Sequence, residues 1–439
     1  MAHTEPDQAP TPIVIVGHVD HGKSTLIGRL LHDTGNLPEG VEEAVRASSA
    51  KRGLKIEWAF LLDSLQIERD QGVTIDSTRI PFALDGRAFV IVDAPGHRQF
   101  LRNMVTGTAD ADAAVLVVDI AEGAQEQTRR HAVLLRLLGV RQVIVALNKA
   151  DLVGFEEERV ASASRAVKVL LNRLEIDPAA IIPISARFGD NLATRSERAP
   201  WYRGPTLVEA LAAVRPRAPH AEQALRLPVQ DVYRQDERRL VVGRIEAGRV
   251  RVGDAVTVAP HGVQARIAAI ESWHTPPQIA ARAGQSVALV LEPDVVVARG
   301  DLLHAPSQPP LRAARLKSRL FWLRQEPLRV GEAFHLRVAT ADYPVTVASI
   351  DSVLRIADLV EETSDHVPPE GFAEITLAAP DGVLFDSFEP GNRAGRGVLV
   401  DSGQHIVGGA PLIGPAATVA ATPSLFPERS AISSWERAQ

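Results

Sequence analysis

The octet Gly17-His18-Val19-Asp20-His21-Gly22-Lys23-Ser24 constrains this chain more than any other feature, because it fits the phosphate-loop pattern G-x-x-x-x-G-K-[ST]. It follows the apolar run Ile13 to Val16 and precedes the helical pattern Thr25 to His32, which is the strand, loop and helix order the motif needs. The glycines let backbone N–H groups curl around phosphate oxygens, and the helix N-terminus adds positive potential. Lys23 then reaches the terminal phosphates and Ser24 offers a hydroxyl to Mg²⁺. Residues Gly17 through Thr25 therefore read as a nucleoside triphosphate site on an α/β domain with a mostly parallel sheet.

Asn148-Lys149-Ala150-Asp151 decides the base. It follows the apolar run Val143 to Leu147 and has the N-K-x-D form of guanine-specific GTPases. A carboxylate at Asp151 accepts two hydrogen bonds, from guanine N1–H and from the exocyclic amine, and adenine offers no such pair of donors. A site built for that contact leaves buried groups unpaired when the wrong base enters, which rejects it by about 10⁴-fold or more. Asn148 is expected to brace the loop, and Lys149 to lay its stem along the ring. Ser185-Ala186-Arg187, after the apolar Ile181 to Ile184, resembles the last GTPase motif, whose backbone N–H meets guanine O6.

Between these segments, Asp93-Ala94-Pro95-Gly96-His97 follows the apolar strand pattern Phe89 to Val92. In GTPases the aspartate of such a D-x-x-G motif holds Mg²⁺ through water, and the glycine amide senses the γ-phosphate. Thr74, within Gln71-Gly72-Val73-Thr74-Ile75-Asp76, resembles the threonine of the first switch. Mg²⁺ keeps several waters, so hydroxyls from Ser24 and Thr74 with a water-mediated Asp93 suffice. Loss of the γ-phosphate should release both segments, so the chain reads as a switch.

Taken together, G-H-V-D-H-G-K-S-T, D-A-P-G-H and N-K-x-D resemble the translational GTPases, the elongation factor Tu class. The resemblance implies a P-loop GTPase domain followed by two β-barrels, with GTP and Mg²⁺ as cofactors. It also implies that His97 orients the attacking water, working with Lys23 and Thr74, while Val19 and Val73 gate its approach. Asp20 matches a position that helps hold a monovalent cation.

Within the class, three stretches resemble the large GTPase subunit of bacterial sulfate adenylyltransferase. They are Ser185 to Leu192 with Ala199 to Leu207, Gln127-Thr128-Arg129-Arg130-His131, and the closing Gly397 to Asp401 with Ile406 to Gly409. That branch implies a regulatory subunit whose GTP hydrolysis drives adenylyl sulfate synthesis on a separate ATP-using catalytic subunit. Consistently, no second phosphate loop follows Ser24. His18, His21 and Ala94 depart from the branch and look translational, and the aminoacyl-tRNA carriers share a similar Pro200-Trp201-Tyr202 stretch. A tRNA-carrying elongation factor therefore stands as the alternative. His18 and His21 themselves read as ordinary loop residues.

With 439 residues and 45% apolar content, the chain can build several cores. It has no cysteine, which excludes a disulfide framework and thiolate chemistry. A net charge of −6 argues against broad nucleic-acid binding, and no apolar run approaches the roughly 20 residues that span a bilayer. The N-terminus lacks the pattern of a secretory signal, so a cytoplasmic protein without a membrane partner is expected. The pattern divides as a disordered tail at 1–11, the GTP-binding domain at 12–215, and a linker at 216–226. Barrels at 227–308 and 309–424 and a tail at 425–439 complete it. Trp201, Tyr202, Trp273 and Trp322 are scattered along the chain and read as packing residues.

Overall fold

Parallel strands covered on both faces need nearly unbroken apolar runs, and two segments near the phosphate loop have them. β1 (Thr11–Gly17) and β4 (Ala113–Asp119) are buried at all but one of their positions. A computed structural model describes residues 10–37, 42–43, 46, 58, 79–93, 111–216, 222–235, 238–271, 278–388 and 395–416. With β2 (Arg79–Leu84), β3 (Arg87–Asp93), β5 (Gln142–Asn148) and β6 (Ala180–Pro183), these strands form a six-stranded sheet in the order β2-β3-β1-β4-β5-β6. Only the β2–β3 pair is antiparallel. Chain order reverses at β1, which lies between β3 and β4, and such switch points leave a crevice beyond the carboxyl ends of the strands.

Helix α1 (Lys23–Asp33) repeats Leu26, Ile27, Leu30 and Leu31 at helical spacing, and all four are buried against the sheet. Truncating one of them to alanine costs about 2–5 kcal/mol. The helix stops where the Thr34 hydroxyl turns back to the Leu30 carbonyl at 2.7 Å. Gly28 is required on the same helix, since a Cβ there would lie 2.5 Å from the Trp58 carbonyl oxygen. α2 (Glu126–Leu137) and α3 (Glu157–Arg173) follow β4 and β5, and α4 (Leu207–Ala212) follows β6. The start of α4 carries a capping box, with the Glu209 N–H donated to Thr206 Oγ1 at 3.1 Å and the Thr206 N–H to Glu209 Oε2 at 2.9 Å. Trp201 is tied into this domain by its indole N–H, which donates to the Phe155 carbonyl at 2.9 Å.

The chain divides into two compact units, and the second holds both barrels. Six antiparallel strands close the first barrel: Ala255–Ala259, Val263–Glu271, Ser286–Glu292, Arg238–Arg244, Arg226–Gln235, Leu302–His304 and back to the start. Its core is aliphatic, from Leu225 through Leu303. Arg249–Arg251 pairs with Ala280–Arg282 as a separate two-stranded arm. The second barrel runs Ala333–Val338, Arg396–Val400, Ile406–Pro415, Leu311–Trp322, Phe372–Phe385 and Ala341–Arg355, and closes by pairing the last strand with the first. Trp322 is 1% exposed there, edge-on to Phe334. Alternation of buried and exposed positions, as in Ala333–Val338, is what lets each strand line a core on one side only. Among the described residues no helix is long and apolar enough to cross a membrane.

Candidate functional site

β1 ends in Gly17, where a side chain would not fit: a Cβ would lie 2.4 Å from the Val117 carbonyl oxygen on β4. The loop then turns through Asp20 at φ 62° and Gly22 at φ 89° before α1 begins. Left-handed backbone favours glycine, and at Gly22 a Cβ would also meet the Asn148 side-chain amide at 2.4 Å. Lys23 Nζ donates to the carbonyls of Gly17 and His18, both at 2.8 Å, so the ammonium is held over the loop it serves. Ser24 and Thr25 follow in the first turn of α1. Ser24 thus brings a neutral hydroxyl oxygen to the helix start beside Lys23, and oxygen ligands of this kind suit Mg²⁺.

Asn148 joins three loops. Its Nδ2 donates to the His21 carbonyl at 2.8 Å, and its Oδ1 accepts the Ala186 N–H at 2.9 Å. The Ala186 N–H of the last motif is thus engaged by Asn148. Lys149 follows in left-handed backbone at φ 61°, and Asp151 sits in the 3-10 turn Ala150–Val153. Ser185 closes its own turn by accepting the Gly189 N–H on its carbonyl at 2.8 Å. Gly17 to Thr25, Asn148 to Asp151 and Ser185 to Arg187 are therefore gathered at the carboxyl ends of β1, β5 and β6. Asp93 ends β3 with its backbone opposite Ile15 of β1. Its side chain, Val73, Thr74, Gly96 and His97 lie outside the described residues, as does Trp273.

Sequence reasoning missed what stands behind these loops. Asp119 is 3% exposed at the end of β4 and its carboxylate meets Lys149 Nζ at 2.8 Å. Burial pushes that carboxyl up, but Lys149 and the Ala121 N–H outweigh burial and leave it below the ordinary carboxylate value. The only signal in the sequence was an acid closing the apolar run Ala113 to Val118. His21 lies in the loop before α1, as read from the sequence, and its side chain is completely buried. Burial lowers its pKa, partly offset by Val117 and Glu122. His131 on α2 is pushed down to about 3 by burial first, and then by Lys23, His18 and His21. Among the described residues, His18 Nδ1, Thr128 Oγ1 and His131 Nδ1 are buried without a hydrogen-bond partner.

Residues 10–217 match the family model described as the elongation factor Tu GTP binding domain. Over 428 residues the chain is 38% identical to sulfate adenylyltransferase subunit 1 of Laribacter hongkongensis, covering 96% of this chain and 88% of that protein. It is 44% identical over 305 residues to elongation factor 1-alpha of Archaeoglobus fulgidus, covering 68% and 72%. The bifunctional enzyme NodQ of a Rhizobium species is 37% identical over 406 residues, covering 90% of this chain and 62% of NodQ.

Proposed function

Because the chain belongs to the elongation factor Tu class of GTPases, with nearly full-length likeness to a subunit 1 of sulfate adenylyltransferase, we propose that it is the GTP-hydrolysing subunit of such an enzyme. The observation that carries the guanine nucleotide reading is Asn148, whose one side chain ties the phosphate loop at His21 to the last base loop at Ala186. Phosphates lie along Gly17 to Thr25, with Lys23 neutralising the terminal ones. Asp151 accepts the two guanine donors. Asn148 and Lys149 hold the base loop, with Ser185, Ala186 and Arg187 across from it.

Ser24, Thr74 and, through water, Asp93 would hold Mg²⁺, which when bound would neutralise charge on the phosphates. Asp20 fits a monovalent cation. His97 orients the attacking water, and Gly96 and Thr74 couple the γ-phosphate to the two switches. The chain divisions at 12–215, 227–308 and 309–424 are part of the same reading.

The load is adenylyl sulfate synthesis from ATP and sulfate on a separate catalytic subunit, in the cytoplasm. Reconstitution tests it: sulfate-dependent pyrophosphate release by the ATP-using subunit should rise when this chain and GTP are both added. The 44% identity to an elongation factor 1-alpha favours one other reading, an aminoacyl-tRNA carrier. No complex and no GTP stimulation, together with GTP-dependent protection of aminoacyl-tRNA from hydrolysis, would transfer the assignment to that carrier.

A further inference from the structure

His21 sits in the phosphate loop, yet every polar contact of its side chain is made with the end of β4 and the turn after it, from Val117 to Glu122. Its Nδ1 lies 3.1 Å from the Asp119 N–H, and its Nε2 lies 3.3 Å from Glu122 Oε2. The tautomer follows from the fixed donor. A backbone N–H can only donate, so Nδ1 must present a lone pair to Asp119, which places the ring proton on Nε2 facing the Glu122 carboxylate. The opposite tautomer gains only the Val117 carbonyl at 3.3 Å and sets two N–H groups against each other. One arrangement makes two bonds and the other makes one.

Asp119 carries the contact onward. Its Oδ1 accepts the Ala121 N–H at 2.8 Å, and its Oδ2 holds Lys149 Nζ at 2.8 Å. In the sheet, Asp119 is the register partner of Asn148, whose amide grips the His21 carbonyl. Backbone and ring of one loop residue are therefore bound to two consecutive residues of the base motif, the ring through Asp119. Lys149 is in turn the residue whose left-handed backbone aims the chain into Asp151.

We propose that His21 is a positioning residue that couples phosphate binding to guanine recognition, acting through Asp119 on Lys149 and so on the alignment of Asp151. The proposal rests on the guanine nucleotide reading given above. Losing the ring leaves the buried Asp119 N–H without its acceptor and lets the Asp119–Lys149 pair shift. Guanine, whose exocyclic amine needs an aligned Asp151, should suffer more than hypoxanthine, which lacks that amine.

The test measures GDP and IDP affinities of the full chain. His21→Ala should weaken GDP roughly tenfold, the loss expected when a buried donor is left unmade. IDP should weaken less, so that the GDP-to-IDP ratio falls about threefold or more. His21→Asn should restore the ratio, because its Oδ1 stands where Nδ1 stood and accepts from Asp119. Asp119→Asn gives the same reading from the other side should His21→Ala not fold: its neutral amide oxygen holds Lys149 far less tightly than the carboxylate does, and the ratio should fall. Equal losses for GDP and IDP would reduce His21 to local packing and overturn the proposal. An unmodified protein that binds GDP, IDP and ADP alike would instead overturn the guanine reading on which it stands.

Discussion

Arg226 and Asp386 stand 160 positions apart in the chain and are joined by two bonds of 2.8 Å, Nε to Oδ2 and Nη2 to Oδ1. Arg226 opens the Arg226–Gln235 strand of the first barrel, and Asp386 directly follows the Phe372–Phe385 strand of the second. Through Nη1 the same guanidinium also donates to the Leu225 and Gln308 carbonyls, both at 2.9 Å, so four of its five N–H groups are engaged at the seam between the barrels.

Removing one partner of this pair should destabilise the second unit. Asp386→Ala leaves a guanidinium that is 7% exposed without its carboxylate, a loss of about 3–5 kcal/mol. The combined Arg226→Met and Asp386→Leu change removes both charges and should recover most of that loss. Calorimetry of the variants checks this, and equal melting of Asp386→Ala and the parent would refute it. GTP affinity should be unaffected.

Acid should destabilise the first unit through His131. Its folded pKa of about 3 lies below the ordinary 6.5 because burial opposes the charged ring, aided by Lys23, His18 and His21. Above pH 6.5 the neutral ring matches both states and its contribution is fully present. As pH falls from 6.5 toward 3, the unfolded chain binds a proton that the folded chain refuses, and stability is lost. At pH 4.5 the loss is about 2–3 kcal/mol. His21, also lowered, adds with the same sign. His131→Gln should flatten the fall in denaturant midpoint between pH 6.5 and 4.5, and an unchanged slope would count against it.

Base recognition should invert with one atom at Asp151. An amide in Asp151→Asn offers a donor where the carboxylate accepted, so GTP should weaken by about 10²-fold and xanthosine triphosphate should improve. Competition binding with the two nucleotides measures the exchange. Parallel weakening of both would mean that Asp151 supports the loop without reading the base.

Hydrolysis should separate from binding at His97 and not at Lys23. His97→Ala is expected to slow single-turnover GTP cleavage about 10²-fold or more with affinity retained. Lys23→Ala should lose both, because the ammonium held by the Gly17 and His18 carbonyls is the group proposed above to neutralise the terminal phosphates. Unchanged turnover in His97→Ala would remove the histidine from the mechanism.

What could be read from the chain alone was local. A phosphate loop is a short run of backbone conformations, so Gly17, Gly22 and Lys23 mark its pattern within eight residues, and Asn148 to Asp151 carry the N-K-x-D pattern in four. Apolar runs such as Ile13 to Val16 and the alternation in Ala333–Val338 announced a parallel sheet followed by barrels for the same reason: periodicity is a property of neighbours. Only tertiary structure put the His21 ring against the Asp119 N–H 98 residues away, gave the Ala186 N–H to Asn148, and brought Asp386 onto Arg226. Such contacts leave no local pattern, because each residue is chosen by a partner that strand order and barrel closure deliver. An acid at the end of a strand or a histidine in a loop looks ordinary until burial removes water as the alternative partner and makes the one remaining bond decisive.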